Sequence, residues 1–293
     1  MTPKSSFASQ WRIDLAAELM EHYKSQEHIK MIVLGGSPSR GLSDSYSDLD
    51  IVVYWDTVNS SWLDTIPLSR FGAERPFFHK MKDEDVYLEQ YYFDTLKVDV
   101  GHVTLKLWKK WVEDVLERFD MQLDLHKTLG GFLASKVLYG EQLAEEWKKR
   151  IAKYPDQLAV KMVKQHLKFF NFGVLQHQGL ERGDIIFFYD GICMMLKNFL
   201  GILAGLNKVY FSPAEPRWIE YELKNMPVQP QNAWKRMKSL FEVDRSEVED
   251  ILEELTIEVL DLVAAHMPDI DLTRIRKFSD FSVRACDEKP ILK

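Results

Sequence analysis

Apolar residues recur along this chain at helical spacing, then at the two-residue spacing of strands, and from about residue 104 onward at helical spacing alone. Phe7, Trp11, Leu15, Leu19 and Tyr23 stand four apart and predict an amphipathic helix over 6–28. Met31 to Leu34 is a short apolar run closed by Gly35-Gly36, which predicts a strand ending in a tight turn. From Asp48 to Trp55, Leu49, Ile51 and Val53 alternate with polar and acidic positions, the pattern of a second strand with one apolar face. Residues 56–76 are mixed and punctuated by proline, and are predicted to be a connector with one short helix around 60–71.

Val86–Phe93 and Leu96–Val103 flank Asp94-Thr95 and predict a β-hairpin with a two-residue turn, although no glycine marks it. Closing the turn there pairs Tyr92 with Lys97 and Gln90 with Asp99 on one side of the sheet. Tyr91, Phe93, Val98 and Val100 fall on the other side, which is apolar. A one-residue slip would mix the two faces, so the register is well specified. Glu89 belongs to the apolar side and is expected at its rim; only a slip would bring it to Asp99 as a rival base.

After His102 the strand pattern stops. Leu105, Trp108, Val112, Val115 and Leu116 form one stripe of a helix over 104–118, and helical segments follow at 120–137, 141–153, 156–178, 184–206, 215–226, 231–241, 245–266 and 269–277. The segments at 156–178 and 184–206 are apolar on most faces and are expected at the centre of a bundle. The tail after Arg276 is expected to be loosely ordered. The predicted fold class is α+β: an N-terminal α/β domain with a small mixed sheet over residues 1–138, then an all-α domain over 139–293.

Composition adds little that is specific. The 293 residues are 46% hydrophobic and 28% charged with a net charge of −7, an ordinary globular balance that makes a polynucleotide partner unlikely on charge alone. Two cysteines far apart, Cys193 and Cys286, suit a reducing compartment without a disulfide framework. No apolar run is read as approaching the roughly 20 residues of a membrane span, and the polar start MTPKSSFASQW does not read as a signal peptide. The expectation is a cytoplasmic protein without a membrane partner.

The chemistry concentrates between Met31 and Tyr54. Alternate residues of a strand share a face, which sets Asp48 and Asp50 on one side, roughly 7 Å apart at Cα. Two carboxylates so placed repel each other and are costly to ionise unless a cation joins them. The reading is a divalent metal site with a phosphate-binding turn, Gly35-Gly36-Ser37, just upstream. No Gly-Lys-Ser/Thr follows, so the turn is not a Walker A loop. Asp99 stands in the same kind of apolar strand as the other two acids. Lys97 and Gln90 share its face and are read first as exposed strand polars, second as substrate contacts. In the helical half, Phe187, Phe188, Met194, Met195 and Phe199 are expected in the core and Asp184 as a helix cap. Asp190 is an acid in an apolar helix that needs a partner, and His166 and His177 are read as structural.

Gly35-Gly36-Ser37, a ten-residue connector, Asp48-Leu49-Asp50 and then Asp99 on a later strand together resemble the nucleotidyltransferase superfamily of DNA polymerase beta. Within it, the chain resembles the antibiotic nucleotidyltransferases, the kanamycin and lincosamide group, which also append a helical domain. Leu203–Tyr210 and Arg217-Trp218 resemble helical domains of that group, and Asn207 and Tyr210 match its pattern. The resemblance implies that Gly36 and Ser37 hold the phosphates of ATP or another nucleoside triphosphate. Arg40 is either a triphosphate contact or a plain surface arginine. It also implies that Asp48 and Asp50 ligate Mg²⁺, and that Asp99 is either a further ligand or the base for the acceptor hydroxyl. The implied reaction is transfer of a nucleoside monophosphate, AMP from ATP, to a hydroxyl of a small molecule of the aminoglycoside or lincosamide kind. Transfer to a protein or RNA acceptor, or a non-catalytic nucleotide-binding module, are the alternatives.

Overall fold

The computed structural model describes residues 6–80, 86–169, 172–212 and 216–277. Expectations for the segment after Arg276 and for Cys286 fall almost wholly outside those residues. The chain separates into two compact units, one of Met1–Asp120 with Leu125–Lys153 and one of Met121–Asp124 with Tyr154–Lys293. The expected boundary at 138/139 falls inside the first unit, because the segments on either side of it pack on one sheet.

Among the described residues that sheet has six strands, β1 (Ile29–Leu34), β2 (Leu49–Trp55), β3 (Glu74–Lys80), β4 (Val86–Phe93), β5 (Leu96–Thr104) and β6 (Lys136–Tyr139). Their spatial order is β3-β4-β5-β2-β1-β6. Only the β2–β5 pair is parallel; the other four are antiparallel, so the sheet is mixed as predicted. The hairpin has the predicted register, with Tyr92 opposite Lys97 and Gln90 opposite Asp99. Asp94 takes the left-handed conformation, φ 53°, which lets a two-residue turn close without glycine.

Leu49, Ile51, Val53 and Trp55 of β2 and Val98 and Val100 of β5 meet the first helix, Phe7–Lys24, in one core. Ser6 caps that helix by accepting from the Ser9 amide at 3.1 Å. Its buried stripe includes Ile13, Ala16, Leu19, Met20 and Tyr23, so the expected Leu19 and Tyr23 are buried, whereas Phe7 is 87% exposed. The expected stripe from Phe7 was wrong at its start, because four-residue spacing drifts by about 40° per step on a 3.6-residue helix. On the opposite face Tyr54 packs edge-on against Trp108 and Phe132 from the two helices Leu105–Leu116 and Leu123–Ala134.

Two strands were not foreseen. β3 lies at the sheet edge, beginning at the end of the expected connector and running past it to Lys80, and its burial does not alternate. β6 is four residues long and follows a helix that was expected to run on to 137. Each has too few buried positions to show a period.

In the second unit, helix Ile185–Leu206 is central and begins, as expected, with Asp184 accepting from the Phe187 amide at 3.1 Å. Helix Asp156–His166 lies close against it: a Cβ on Gly205 would come within 2.9 Å of the Ala159 carbonyl oxygen. The expected continuous helix over 156–178 stops at His166. There the Lys168 carbonyl is taken by Asn198 Nδ2 at 2.6 Å, and a short turn and a π-helical turn, Leu175–Leu180, follow. Asp190 is exposed, so the acid flagged in an apolar helix meets solvent. By length and composition Ile185–Leu206 does reach what a membrane span requires, contrary to the sequence reading, and 56% of its most apolar window is buried inside the protein. Asn207 accepts from the Val228 amide and donates to its carbonyl, both at 2.8 Å, which assigns that side chain to holding a loop.

Candidate active site

On β2, the face that presents Tyr54 to the helices carries Asp50 four residues earlier. In the parallel β2–β5 pair, Asp50 lies directly beside Asp99. Asp48 immediately precedes β2, two residues before Asp50, and its carboxylate comes to the same place. One carboxylate oxygen from each of Asp48, Asp50 and Asp99 lies within 4.8 Å of the others. The acids from two separated stretches thus converge as the strand alternation implied.

The loop that delivers Asp48 is clasped by the first helix. Ser9 Oγ accepts from the Ser43 amide at 3.0 Å, Ser6 Oγ donates to the Ser43 carbonyl at 3.3 Å, and Arg12 Nε donates to the Ser47 carbonyl at 2.9 Å. Arg12 is only 4% exposed. Burial lowers its pKa, and the nearby charges of Asp44 and Asp48 act against that. Arg12 was not singled out from the sequence. Its one signal there is a basic residue placed beside Ile13, on the side of the helix that buries.

Gly35-Gly36 packs directly against Asp50. The Gly35 amide donates to the Asp50 carbonyl at 2.7 Å, so the turn is bonded across to β2. Gly36 has φ +64°, and a Cβ there would sit 2.3 Å from Asp50 Oδ2. Only glycine tolerates both conditions. Gly36→Ala is therefore expected to push the Asp50 carboxylate aside and cut turnover roughly a hundredfold. An unchanged circular dichroism spectrum with weakened divalent-metal binding would separate this from misfolding.

Ser37 and Arg40 lie in the one-turn helix Gly36–Arg40. Ser37 is buried with its Oγ 3.3 Å from Ser43 Oγ, and Arg40 Nη1 donates back to the Gly36 carbonyl at 3.2 Å. The Ser37 hydroxyl therefore faces the loop, a contact that no spacing in the chain signals.

Lys97 and Gln90 are more than exposed strand polars. Lys97 Nζ lies 2.7 Å from Asp99 Oδ2 and 3.6 Å from Asp48 Oδ2, and Gln90 Nε2 donates to Asp99 Oδ1 at 3.1 Å. The hydrogen bond to Asp99 raises the Lys97 pKa against the opposing effect of burial, with the charges of Asp99, Asp48 and Asp50 adding to it.

Glu89 is the main correction. Expected at the rim, it is fully buried on the far face of the sheet, with its carboxylate 2.9 Å from His102 Nε2 and 3.0 Å from Arg75 Nη1. It is not a rival base, because the register holds and places it away from Asp99.

The donor set suits a hard divalent cation. Three converging carboxylates offer only oxygen, the arrangement Mg²⁺ prefers when the substrate's phosphates complete its shell. The absent Gly36 side chain leaves Asp50 Oδ2 room to face the other two acids.

Residues 15–122 match the family described as "Nucleotidyltransferase domain", and residues 126–219 match a domain of unknown function, DUF4037. No curated protein matches the chain. Among solved structures it is similar to a nucleotidyltransferase-like protein from Exiguobacterium sibiricum 255-15, at 12% identity over 86% of this chain and 74% of that one. The TM-score is 0.40, too slight a likeness to bear on fold or chemistry. The stretch that matches the nucleotidyltransferase domain is the N-terminal part of the chain, and a helical region follows it.

Proposed function

We propose that this protein is a Mg²⁺-dependent nucleotidyltransferase that moves AMP from ATP to a hydroxyl of a small molecule, of the aminoglycoside or lincosamide class. The observation that carries the reading is the convergence of Asp48, Asp50 and Asp99 beside the Gly36 turn. A nucleotidyltransferase domain implies a nucleoside triphosphate substrate and, in general, a divalent metal. The choice of adenine, of Mg²⁺ and of a small acceptor rests on the resemblance and on the net charge of −7, which does not favour gripping a polynucleotide.

In this reading Asp48 and Asp50 are the principal metal ligands. When bound, the cation neutralises the triphosphate and polarises its α-phosphoryl group. Gly36 lets the triphosphate approach the acids without a side chain between them, and Ser37 and Arg40 flank it. The acceptor oxygen attacks the α-phosphorus, the bond to the β-phosphate oxygen breaks, and pyrophosphate leaves. Asp99, held by Gln90, completes the ligand set or takes the acceptor's proton. Positioning and charge neutralisation do most of the work in such a displacement.

Incubating the full chain with α-labelled nucleotides, Mg²⁺ and a panel of aminoglycosides and lincosamides tests this. Pyrophosphate release with label on a small molecule is the expected result. Label on a protein or RNA would overturn the acceptor class, and no pyrophosphate release under any condition would overturn the enzyme.

A further inference from the structure

Two features of the acidic corner belong together. Lys97 Nζ contacts oxygens of both Asp99 and Asp48, at 2.7 and 3.6 Å, and these are two of the three acids that converge within 4.8 Å. Gln90 already donates to the other Asp99 oxygen at 3.1 Å. A divalent ion gathered by these acids must approach the oxygens that the ammonium contacts, and two cations cannot share that space without strong repulsion. The lysine side chain is 32% exposed and long, so it has solvent to move into.

We propose that Lys97 is the resident counter-ion of the metal-free site, and that the ammonium and a divalent metal are alternative occupants of the acid cluster. This rests on the metal-site reading above. Its consequence is a coupling. Metal alone must displace Lys97 from Asp99 and Asp48, and therefore binds weakly. With a nucleoside triphosphate present, the displaced ammonium gains a new partner in the phosphates, which lie beside the same metal. Metal and nucleotide each strengthen the other's binding through one side chain, and by linkage the factor is the same in both directions. The arrangement also keeps three carboxylates from facing one another uncompensated before substrate arrives.

The test is Mn²⁺ binding to the full chain, followed by the electron paramagnetic resonance signal of the free ion. It is run alone and with an ATP analogue carrying a methylene bridge between its α- and β-phosphorus atoms. Lys97→Met keeps the apolar stem and removes the charge; Lys97→Arg keeps the charge. Lys97→Met is expected to bind Mn²⁺ alone at least about tenfold more tightly than the wild type, and to lose at least about tenfold of the enhancement that the analogue gives. Lys97→Arg is expected to stay close to the wild type in Mn²⁺ affinity. Association of Mn²⁺ with the analogue in solution is common to all three proteins and cancels in the comparison. Unchanged or weaker Mn²⁺ binding by Lys97→Met, with normal binding by the wild type, overturns the role of Lys97 and leaves the site intact. A wild type that binds no Mn²⁺ with or without the analogue overturns the metal site and this inference with it.

Discussion

Asp99→Asn is expected to lower nucleotidyl transfer roughly a thousandfold, the scale of losing a preorganised charged group in a transition state, while nucleotide binding partly survives. Asparagine matches the shape of aspartate, and its oxygen can still accept from Lys97 where Asp99 Oδ2 now does, at 2.7 Å. Its amide nitrogen then meets Gln90, which can turn its own amide over and present oxygen. The fold should absorb the change, with an unaltered unfolding midpoint. What is lost is the negative charge that β5 contributes beside Asp50. Steady-state turnover and equilibrium nucleotide binding, measured on the same preparation, check it. Turnover within about tenfold of the wild type would remove Asp99 from the chemistry. A chain that only senses nucleotide would behave almost alike in both forms.

The acid cluster was legible in the sequence because it depends on alternation alone. Asp48 and Asp50 are two apart, and the hairpin register that pairs Gln90 with Asp99 also segregates Tyr91, Val98 and Val100. A one-residue slip would have mixed the polar and apolar faces, which is what the alternation specified against. The roles of Arg12 and Glu89 were not legible, because each depends on partners far away in the chain. Arg12 reaches Ser47, and Glu89 gathers groups from residues 23, 75, 91 and 102. A lone acid on an apolar strand face reads as a rim residue until its donors are known. The edge strand β3 and the four-residue β6 escaped for a different reason, having too little buried surface to leave a period. The break after His166 escaped because it is set by Asn198 on a different helix.

Glu89→Gln is expected to cost about 3–5 kcal/mol of stability, as removal of one member of a buried ion pair does. Glu89 lies in the core between sheet and first helix, where an isolated carboxylate would be prohibitive. It is tolerated because every oxygen has donors. Oε2 accepts from Tyr23 at 3.1 Å and from His102 Nε2 at 2.9 Å; Oε1 accepts from Tyr91 at 2.5 Å and from Arg75 at 3.0 Å. Trp55 Nε1 donates to His102 Nδ1 at 3.1 Å, which places the ring's proton on Nε2, facing Glu89. Glutamine keeps one acceptor but points an N–H₂ at two of these donors, and it strips the counter-charge from Arg75, whose side chain is 11% exposed. Tyr23→Phe removes one donor of four and leaves the charge paired, so it should cost only about 1 kcal/mol. Urea unfolding of both variants, followed by tryptophan fluorescence, gives the comparison. Equal losses would mean that the charge of Glu89 does not matter. Acidity supplies a second measurement. Burial pushes the Glu89 pKa up, but the bonds from His102, Tyr91 and Arg75 outweigh it and hold the carboxyl below its ordinary 4.5. A lowered folded pKa gives stability that is fully present above pH 4.5 and is lost as the pH falls through the folded value. The wild type should therefore lose part of its stability to this one group below pH 4.5, and Glu89→Gln, having no proton to gain there, should show a shallower acid limb from a lower starting point.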